Sequence, residues 1–144
     1  MTDLKTKIGI INCDFGNIAS LINAIKHLKY NYEVLKRPSD LKFITHLILP
    51  GVGSFNKSAK RIRETGWSDA IIDHTAKKKP FMGICLGMQL MFETGSENGE
   101  ESGIGLFKGR CEEFSNKNEI KLPHIGFNLV SHSNSKIWKD IPNN

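Results

Sequence analysis

Short apolar runs alternate with amphipathic stretches over the first two-thirds of the chain. The runs cover residues 7–13, 31–37, 46–50 and 80–84. After the first run, apolar residues recur at helical spacing from Ile18 to Leu28, with Asn17 as a candidate N-cap. A longer amphipathic stretch covers residues 56–79 and is interrupted near Gly66, and another helix is expected over residues 86–93. The pattern predicts four strands separated by helices, with a short helix or turn starting at Pro38.

Continuous apolar strands that alternate with helices are typical of a parallel sheet covered on both faces. We therefore predict an α/β fold, an open and mostly parallel sheet flanked by helices. Residues 97–109 are rich in glycine and glutamate and are expected to form a loop. Residues 109–114 and 120–132 suggest shorter strands of an antiparallel β extension, and residues 136–144 a helical turn. A chain of 144 residues is about one domain of material, so a single domain is predicted over residues 1–144.

Charge and cysteine usage narrow the classes of function. The net charge is +5, and most lysines are dispersed, which favours a solvated surface over a nucleic-acid footprint. An acidic small-molecule substrate or an acidic protein partner stays open as an alternative. No apolar run approaches the roughly 18 residues of a membrane helix. The three cysteines lie far apart, with no CxxC pair and no Cys/His metal spacing, and the start of the chain lacks the pattern of a secretory leader. We expect a cytoplasmic protein that uses no metal, contacts no membrane and binds no nucleic acid.

The segment Gly83-Ile-Cys85-Leu-Gly87 lies between the fourth predicted strand and the helix that follows it. A sharp strand-to-helix turn needs small residues two positions either side of its apex, because larger side chains would collide with neighbouring elements. The apex residue then projects beyond the carboxyl ends of the strands, at a helix N-terminus that favours a thiolate. The alternative is a buried cysteine acting as a small hydrophobe, which we favour for Cys13 and Cys111. For Cys85 the pattern favours a catalytic nucleophile.

A second turn, Pro50-Gly-Val-Gly-Ser-Phe55, follows the third predicted strand. Attack on an acyl carbon creates an oxyanion that needs about two N–H donors already in position. The backbone N–H of Leu86 is one candidate donor, and the N–H of Val52 or Gly53 is the other. On its own this segment could be a plain strand-ending turn. Its occurrence one βα unit before Cys85 favours an oxyanion hole.

These motifs carry a resemblance to a known family. "IGIINCDFGN", "PGVGSF", "GICLGMQLMFE" and "LPHIGFN" occur in the order found in class I glutamine amidotransferases, and are similar above all to the glutaminase subunits of imidazole glycerol phosphate synthases. The resemblance implies that Cys85 attacks the side-chain amide of glutamine to give a glutamyl thioester and ammonia, after which water releases glutamate. It implies an oxyanion hole formed by Val52, Gly53 and Leu86.

The same resemblance implies a set of substrate-binding residues and a partner. The set that would contact glutamine is Gly51, Gly53, Gln89 and Glu97. Ammonia would pass to a (β/α)8-barrel cyclase that forms imidazole glycerol phosphate and an aminoimidazole carboxamide ribotide in histidine biosynthesis. No cofactor is implied. From the residues alone, Glu97 could equally belong to a generic acidic loop, and Gln89 could be an ordinary exposed glutamine.

The sequence departs from the family pattern in its last third. The family completes a catalytic triad with histidine and glutamate in a His-Pro-Glu segment, which this sequence does not contain, and His124 matches a different family position. We therefore expect a chain truncated at its C-terminus and slowed by several orders of magnitude for want of a general base. Three alternatives stay open: a paralogous amidotransferase subunit for surface-sugar biosynthesis, an inactive binding module, and a general cysteine hydrolase.

Overall fold

The computed structural model describes residues 6–13, 17–112, 114, 125–133, 135–139 and 141–143. The chain divides into two compact units, Met1–Glu113 and Phe114–Asn144. The single-domain organisation expected over residues 1–144 stays a prediction.

The first unit contains a four-stranded sheet in which every neighbouring pair of strands is parallel. The strands are β1 (Lys7–Ile11), β2 (Asn31–Leu35), β3 (His46–Gly51) and β4 (Phe81–Cys85), in the spatial order β2-β1-β3-β4. They are connected through α1 (Ile18–His27), a 3-10 helix (Pro38–Phe43), α2 (Phe55–Glu64) and α3 (Trp67–Ala76). The predicted α/β fold, an open parallel sheet flanked by helices, is confirmed.

The break between α2 and α3 occurs where the sequence predicted it. Gly66 adopts a left-handed backbone conformation (φ 75°), which glycine enters without steric cost. Beyond the break, Trp67 is 1% exposed and packs into the same core as Ile62 of α2 and Leu49 of β3. Burying a side chain such as Ile62 or Leu49 contributes about 1.5–3 kcal/mol, so the shared core holds α2 and α3 against the sheet.

A second, smaller sheet follows β4 and corrects two expectations. Helix α4 covers only Leu86–Gln89, and the chain then forms β5 (Phe92–Gly95), β6 (Glu101–Ser102) and β7 (Phe107–Cys111). The predicted helix over residues 86–93 and the predicted loop over residues 97–109 are therefore wrong in part. Pairing of β5 with both other strands, and contact of the Phe92 and Phe107 rings at 5.9 Å, outweigh the local helical pattern.

The small sheet has mixed strand directions. Its order is β6-β5-β7, with β5 antiparallel to β6 and parallel to β7. The extension expected after the parallel sheet is thus present as a mixed sheet rather than an antiparallel one. Residues 125–132 form no strand, and residues 120–124 of the same expected strand lie outside the described residues.

In the second unit, a 3-10 helix covers Lys136–Trp138, which agrees with the predicted helical turn. The His132 ring stacks on Trp138 with ring centroids 5.0 Å apart, and its Nε2 lies 2.9 Å from the carbonyl oxygen of Ile141. Within the described part of the chain, no helix has the length and apolar composition needed to cross a bilayer.

Candidate active site

Cys85 is the last residue of β4 and lies directly before α4. Its backbone angles are φ 55° and ψ −118°, outside the regions that non-glycine residues ordinarily occupy, and its side chain is exposed. Such a backbone costs about 1–3 kcal/mol and persists only where the surrounding structure imposes it. The structure thus holds the thiol at a sharp strand-to-helix bend, as the sequence pattern predicted.

The glycines on either side of Cys85 are required by close approach. A Cβ on Gly83 would lie 2.6 Å from the carbonyl oxygen of Gly87 and from the Cα of Met88. A Cβ on Gly87 would overlap the carbonyl oxygen of Leu49 in β3. In both places the obstacle is backbone, which cannot rotate away. The predicted reason for the two glycines is confirmed.

Pairing of β3 with β4 brings the second predicted turn beside the thiol. Gly51 is the register partner of Cys85, so residues 52–54 leave the sheet at the same edge. Gly51 itself is buried, and its Cβ position lies 3.0 Å from the nitrogen of Gly87. Gly53 has φ 107°, a left-handed region that side chains rarely enter. Two turns far apart in sequence therefore meet at one edge of the sheet.

A cleft of about 430 Å³ opens at this edge. It is lined by Gly53, Phe55, Cys85, Leu86, Gln89, Gly95, Ser96, Glu97, Asn98, Cys111 and Glu112. Five predicted site residues are in that set, namely Gly53, Cys85, Leu86, Gln89 and Glu97. The other two, Gly51 and Val52, are not among the lining residues. Gly51 is packed against Leu86, and Val52 is 54% exposed.

Glu97 connects the cleft to the start of α2. Its Oε2 accepts a hydrogen bond from the backbone N–H of Phe55 at 2.6 Å, whereas the side chain of the N-cap residue Ser54 makes no capping bond. A carboxylate at a helix N-terminus satisfies an otherwise unpaired donor and interacts favourably with the helix dipole. Glu97 is thus an exposed side chain that is held by a specific hydrogen bond, rather than one residue of a loose acidic loop.

Comparison with known proteins shows which family this chain belongs to. The family "Glutamine amidotransferase class-I" matches residues 10–144 of the chain. The chain belongs to the class I glutamine amidotransferases. This amidotransferase is 43% identical over 123 residues to "Imidazole glycerol phosphate synthase subunit HisH" of Desulfitobacterium hafniense, a match that covers 85% of this chain and 57% of that protein.

Two further comparisons extend the picture. "Imidazole glycerol phosphate synthase hisHF, chloroplastic" of Arabidopsis thaliana is 34% identical over 137 residues, which is 94% of this chain and 23% of that protein. A solved structure described as "Crystal structure of glutamine amidotransferase" superposes with a TM-score of 0.63 at 21% identity, covering 73% of this chain and 55% of that one. At that identity the superposition supports the fold. The amidotransferase spans 57% of the length of the Desulfitobacterium relative.

Cys111 was predicted to be a buried hydrophobe, and for this residue the prediction is wrong. Pairing of β7 with β5 sets Cys111 opposite Gly95 and brings it to the cleft wall, where its Sγ lies 3.6 Å from the carbonyl oxygen of Gln89. It is half-buried, and this partial burial raises the pKa of its thiol. Cys13, by contrast, is buried as predicted.

Apart from Phe55 of α2, the remaining lining residues come from the small sheet and its turns. Gly95 lies against the Phe55 ring, and a Cβ there would be 2.6 Å from the ring carbons. The turn that follows holds Asn98 (φ 58°) and Gly99 (φ 103°) in left-handed conformations. "Glu-Asn-Gly-Glu" is a turn signal that could have predicted a hairpin here, because asparagine and glycine favour such conformations.

The charge of the described cleft is acidic. Glu97 and Glu112 both line it, and Glu112 also pairs with Arg110 at 2.7 Å. None of the described lining residues is a histidine. Across the described residues, no group of three or more His, Cys, Asp or Glu side chains is arranged to hold a metal ion.

Proposed function

We propose that this chain is a glutaminase that uses Cys85 as its nucleophile. The observation that carries the proposal is the exposed thiol on a strained strand-to-helix bend, in one cleft with Gly53, Leu86, Gln89 and Glu97. Membership of the class I amidotransferases supports glutamine as the substrate class.

In the proposed reaction, the Cys85 sulfur forms a bond to the amide carbon of glutamine. The carbonyl electron pair moves to oxygen, and the N–H groups of Leu86 and of Val52 or Gly53 hold the resulting oxyanion. The C–N bond then breaks, and the leaving nitrogen takes up a proton to depart as ammonia. Water adds to the thioester, and the C–S bond breaks to release glutamate and regenerate the thiol. The left-handed Gly53 supports this role, because its backbone can aim an N–H where other residues could not.

Recognition of the amino-acid end of glutamine is assigned to the acidic wall of the cleft. Only Oε2 of Glu97 is engaged by Phe55, so the carboxylate retains capacity to accept from an ammonium group. Gln89 follows Cys85 by four residues on the short helix and offers an amide to the substrate. Gly51 contributes by letting Leu86 and Gly87 approach β3 closely.

Proton transfer limits what the 144-residue chain can do alone. The described lining of the cleft contains carboxylates and thiols but no histidine to act as general base. His124 lies outside the described residues, and its exclusion from a catalytic triad stays a prediction. We therefore expect the thiol to react with glutamine-like electrophiles while steady-state hydrolysis stays several orders of magnitude below that of a complete triad enzyme.

The relatives' names support a finer proposal about the partner. Because one relative is named as a subunit of imidazole glycerol phosphate synthase and the other as the synthase itself, we propose that ammonia passes to a (β/α)8-barrel cyclase, in the cytoplasm, for histidine biosynthesis. A paralogue serving a sugar-amidating enzyme is the alternative. Glutaminase stimulation by a cyclase that carries its own ligand would support the first reading, and stimulation only by a sugar-amidating partner would support the second.

Labelling with a diazo-ketone analogue of glutamine tests the nucleophile. The thiol sulfur displaces N₂ while its proton moves to the former diazo carbon, so the chain gains the mass of the analogue less N₂. We expect one label, on Cys85, that glutamine competes away and that Cys85→Ser abolishes. Buried Cys13 and the protonated Cys111 thiol should remain unlabelled. Labels spread over the three cysteines, or a label insensitive to glutamine, would refute the proposal.

A further inference from the structure

The first residues of α2 are tied to the tip of the β5–β6 hairpin by side chains. The Asn56 Nδ2 donates to the carbonyl oxygens of Asn98 at 3.3 Å and Gly99 at 3.2 Å, and Glu97 accepts from Phe55 N–H. The amide oxygen of Asn56 is buried and has no partner among the described residues. The donor contacts therefore set the orientation of this side chain. We call Asn56 and Glu97 together the α2 latch.

A second attachment lies two helical turns further along α2. Arg63 donates to the carbonyl oxygen of Ser102 at 2.6 Å and to the Glu101 carboxylate at 2.6 Å. This hydrogen bond from Arg63 is the main cause that lowers the pKa of Glu101. Both the tip and the β6 end of the hairpin are thus held by the same helix, so the hairpin and α2 form one body.

The turn between β3 and α2 has few contacts with the described residues. Val52 is 54% exposed, and none of the described residues lies within 4 Å of the Cβ position of Gly53. One end of the turn is fixed by the pairing of Gly51 with Cys85. The other end is Phe55, whose N–H donates to Glu97 of the α2 latch and whose neighbour in the chain is Asn56, the other residue of the latch. Among the described residues, the contacts that hold this turn are therefore those at its two ends.

We propose that Asn56 is a positioning residue that fixes the turn 52–54 against Cys85 by holding the start of α2 to the hairpin. The proposal rests on the proposed function, because it takes this turn as the source of an oxyanion donor. Asn56 is not among the described residues that line the cleft. It acts through the backbone of the turn, so its loss should slow attack on the acyl carbon more than it weakens substrate binding.

The test uses γ-glutamyl 4-nitroanilide and the 144-residue chain. Attack by Cys85 forms the S–C bond and breaks the C–N bond, and the nitroaniline leaves with the thiol proton. The burst of nitroaniline gives an acylation rate constant and a half-saturating concentration. For Asn56→Ala we expect acylation about 10-fold slower, a fraction of the 10²–10³-fold loss of an oxyanion donor, with half-saturation changed by less than about two-fold.

Three further variants separate positioning from other effects. Asn56→Asp has the same shape but points a carboxylate at two carbonyl oxygens, so its acylation should be slower than that of the alanine variant. Glu97→Gln keeps an oxygen for Phe55 N–H and loses the charge, so half-saturation should rise while the acylation rate constant is retained. Lys60→Ala, on the exposed face of α2, should match the unaltered chain.

The outcomes are distinguishable. An unchanged acylation rate constant in folded Asn56→Ala and Asn56→Asp, or loss of the folded state in both, would overturn the proposal, since the second result assigns Asn56 to the fold rather than to the turn. Thermal unfolding of each variant decides between these cases. If the unaltered chain gives no burst, or its burst survives Cys85→Ser, the proposed function fails instead.

Discussion

At the scale of single residues, the site depends on backbone geometry that side chains would prevent. Cys85 sits at φ 55°, an expensive conformation for a residue with a Cβ, and Gly83 and Gly87 leave room for the chain to make that bend. The bend leaves the sulfur exposed at the edge of the sheet instead of in the hydrocarbon core. Three residues therefore act as one unit, in which the outer two have no chemistry of their own.

Gly87→Ala tests that unit. The added methyl would overlap the backbone oxygen of Leu49, so β3 and α4 would have to separate. We expect the free energy of unfolding to fall by about 1–3 kcal/mol, the range for an overpacked site, and labelling of Cys85 by the diazo-ketone to slow. Urea denaturation and labelling kinetics measure both.

The matched control for this substitution is Gly126→Ala. No described residue lies within 4 Å of the Cβ position of Gly126, and Gly126 is exposed, so neither the free energy of unfolding nor the labelling rate should change. Equal effects of the two substitutions would show that the close approach of Gly87 to Leu49 is not what constrains the bend.

At the scale of elements, the connections between helices and strands decide which residues meet. The end of α3 is held to the start of β4 by His74, whose Nε2 lies 3.2 Å from the carbonyl oxygen of Pro80. His74 is 4% exposed, and this burial is the main cause that lowers the pKa of its ring. Electrostatic interactions with Lys79, His46 and Lys77 lower the pKa further, whereas the hydrogen bond to Pro80 opposes the shift. This strand leads directly to Cys85, so its anchoring matters for the site.

The lowered pKa of His74 predicts a stability that depends on pH. The unfolded chain takes up the proton near the ordinary value of 6.5, before the folded chain does. Stability is therefore full above that pH, falls as the pH drops through it, and levels off below the folded pKa. His74→Gln keeps an N–H for Pro80 and removes the titration.

Urea unfolding between about pH 7.5 and about pH 5 measures this dependence. The loss of stability on acidification should be smaller in His74→Gln than in the unaltered chain, whereas substituting the exposed His27 should leave it in place. An identical pH profile in His74→Gln and the unaltered chain would contradict the assignment.

The small sheet shows where local sequence reasoning stops at this scale. Leu86 to Phe92 carry apolar residues at helical spacing, yet the helix ends at Gln89 because the next residues pair with β6 and β7. That pairing joins residues as far apart in sequence as Gly95 and Cys111, and no periodicity in the local sequence reveals it. It is also what brings Glu97 to Phe55 and Cys111 to the cleft.

At the scale of the whole molecule, the candidate site belongs to one of the two compact units. In the described part of the chain, every lining residue of the cleft lies between Gly53 and Glu112, and every buried apolar residue lies between Ile10 and Ile104. The unit Met1–Glu113 therefore holds both the core and the cleft.

A chain that ends at Glu113 should retain the site. We expect it to fold with a melting temperature within about 4 °C of that of the 144-residue chain, the shift that about 1 kcal/mol produces, and to label at Cys85 with the same competition by glutamine. Circular dichroism and mass spectrometry provide the measurements. Loss of labelling from a folded 1–113 chain would mean that residues beyond Glu113 complete the cleft.

The sequence by itself determined the parallel α/β sheet, the bend at Cys85 and the need for its two glycines, because apolar runs, helical periods and glycine spacing are local records of strand, helix and turn. Its motifs also pointed to the family, whose pattern matches residues 10–144. Only the tertiary structure decided that β5 replaces the end of a helix, that Cys111 reaches the cleft and that Glu97 caps α2. Those features depend on strand pairing and hydrogen bonds between distant residues, whose free energies exist only once the chain has folded.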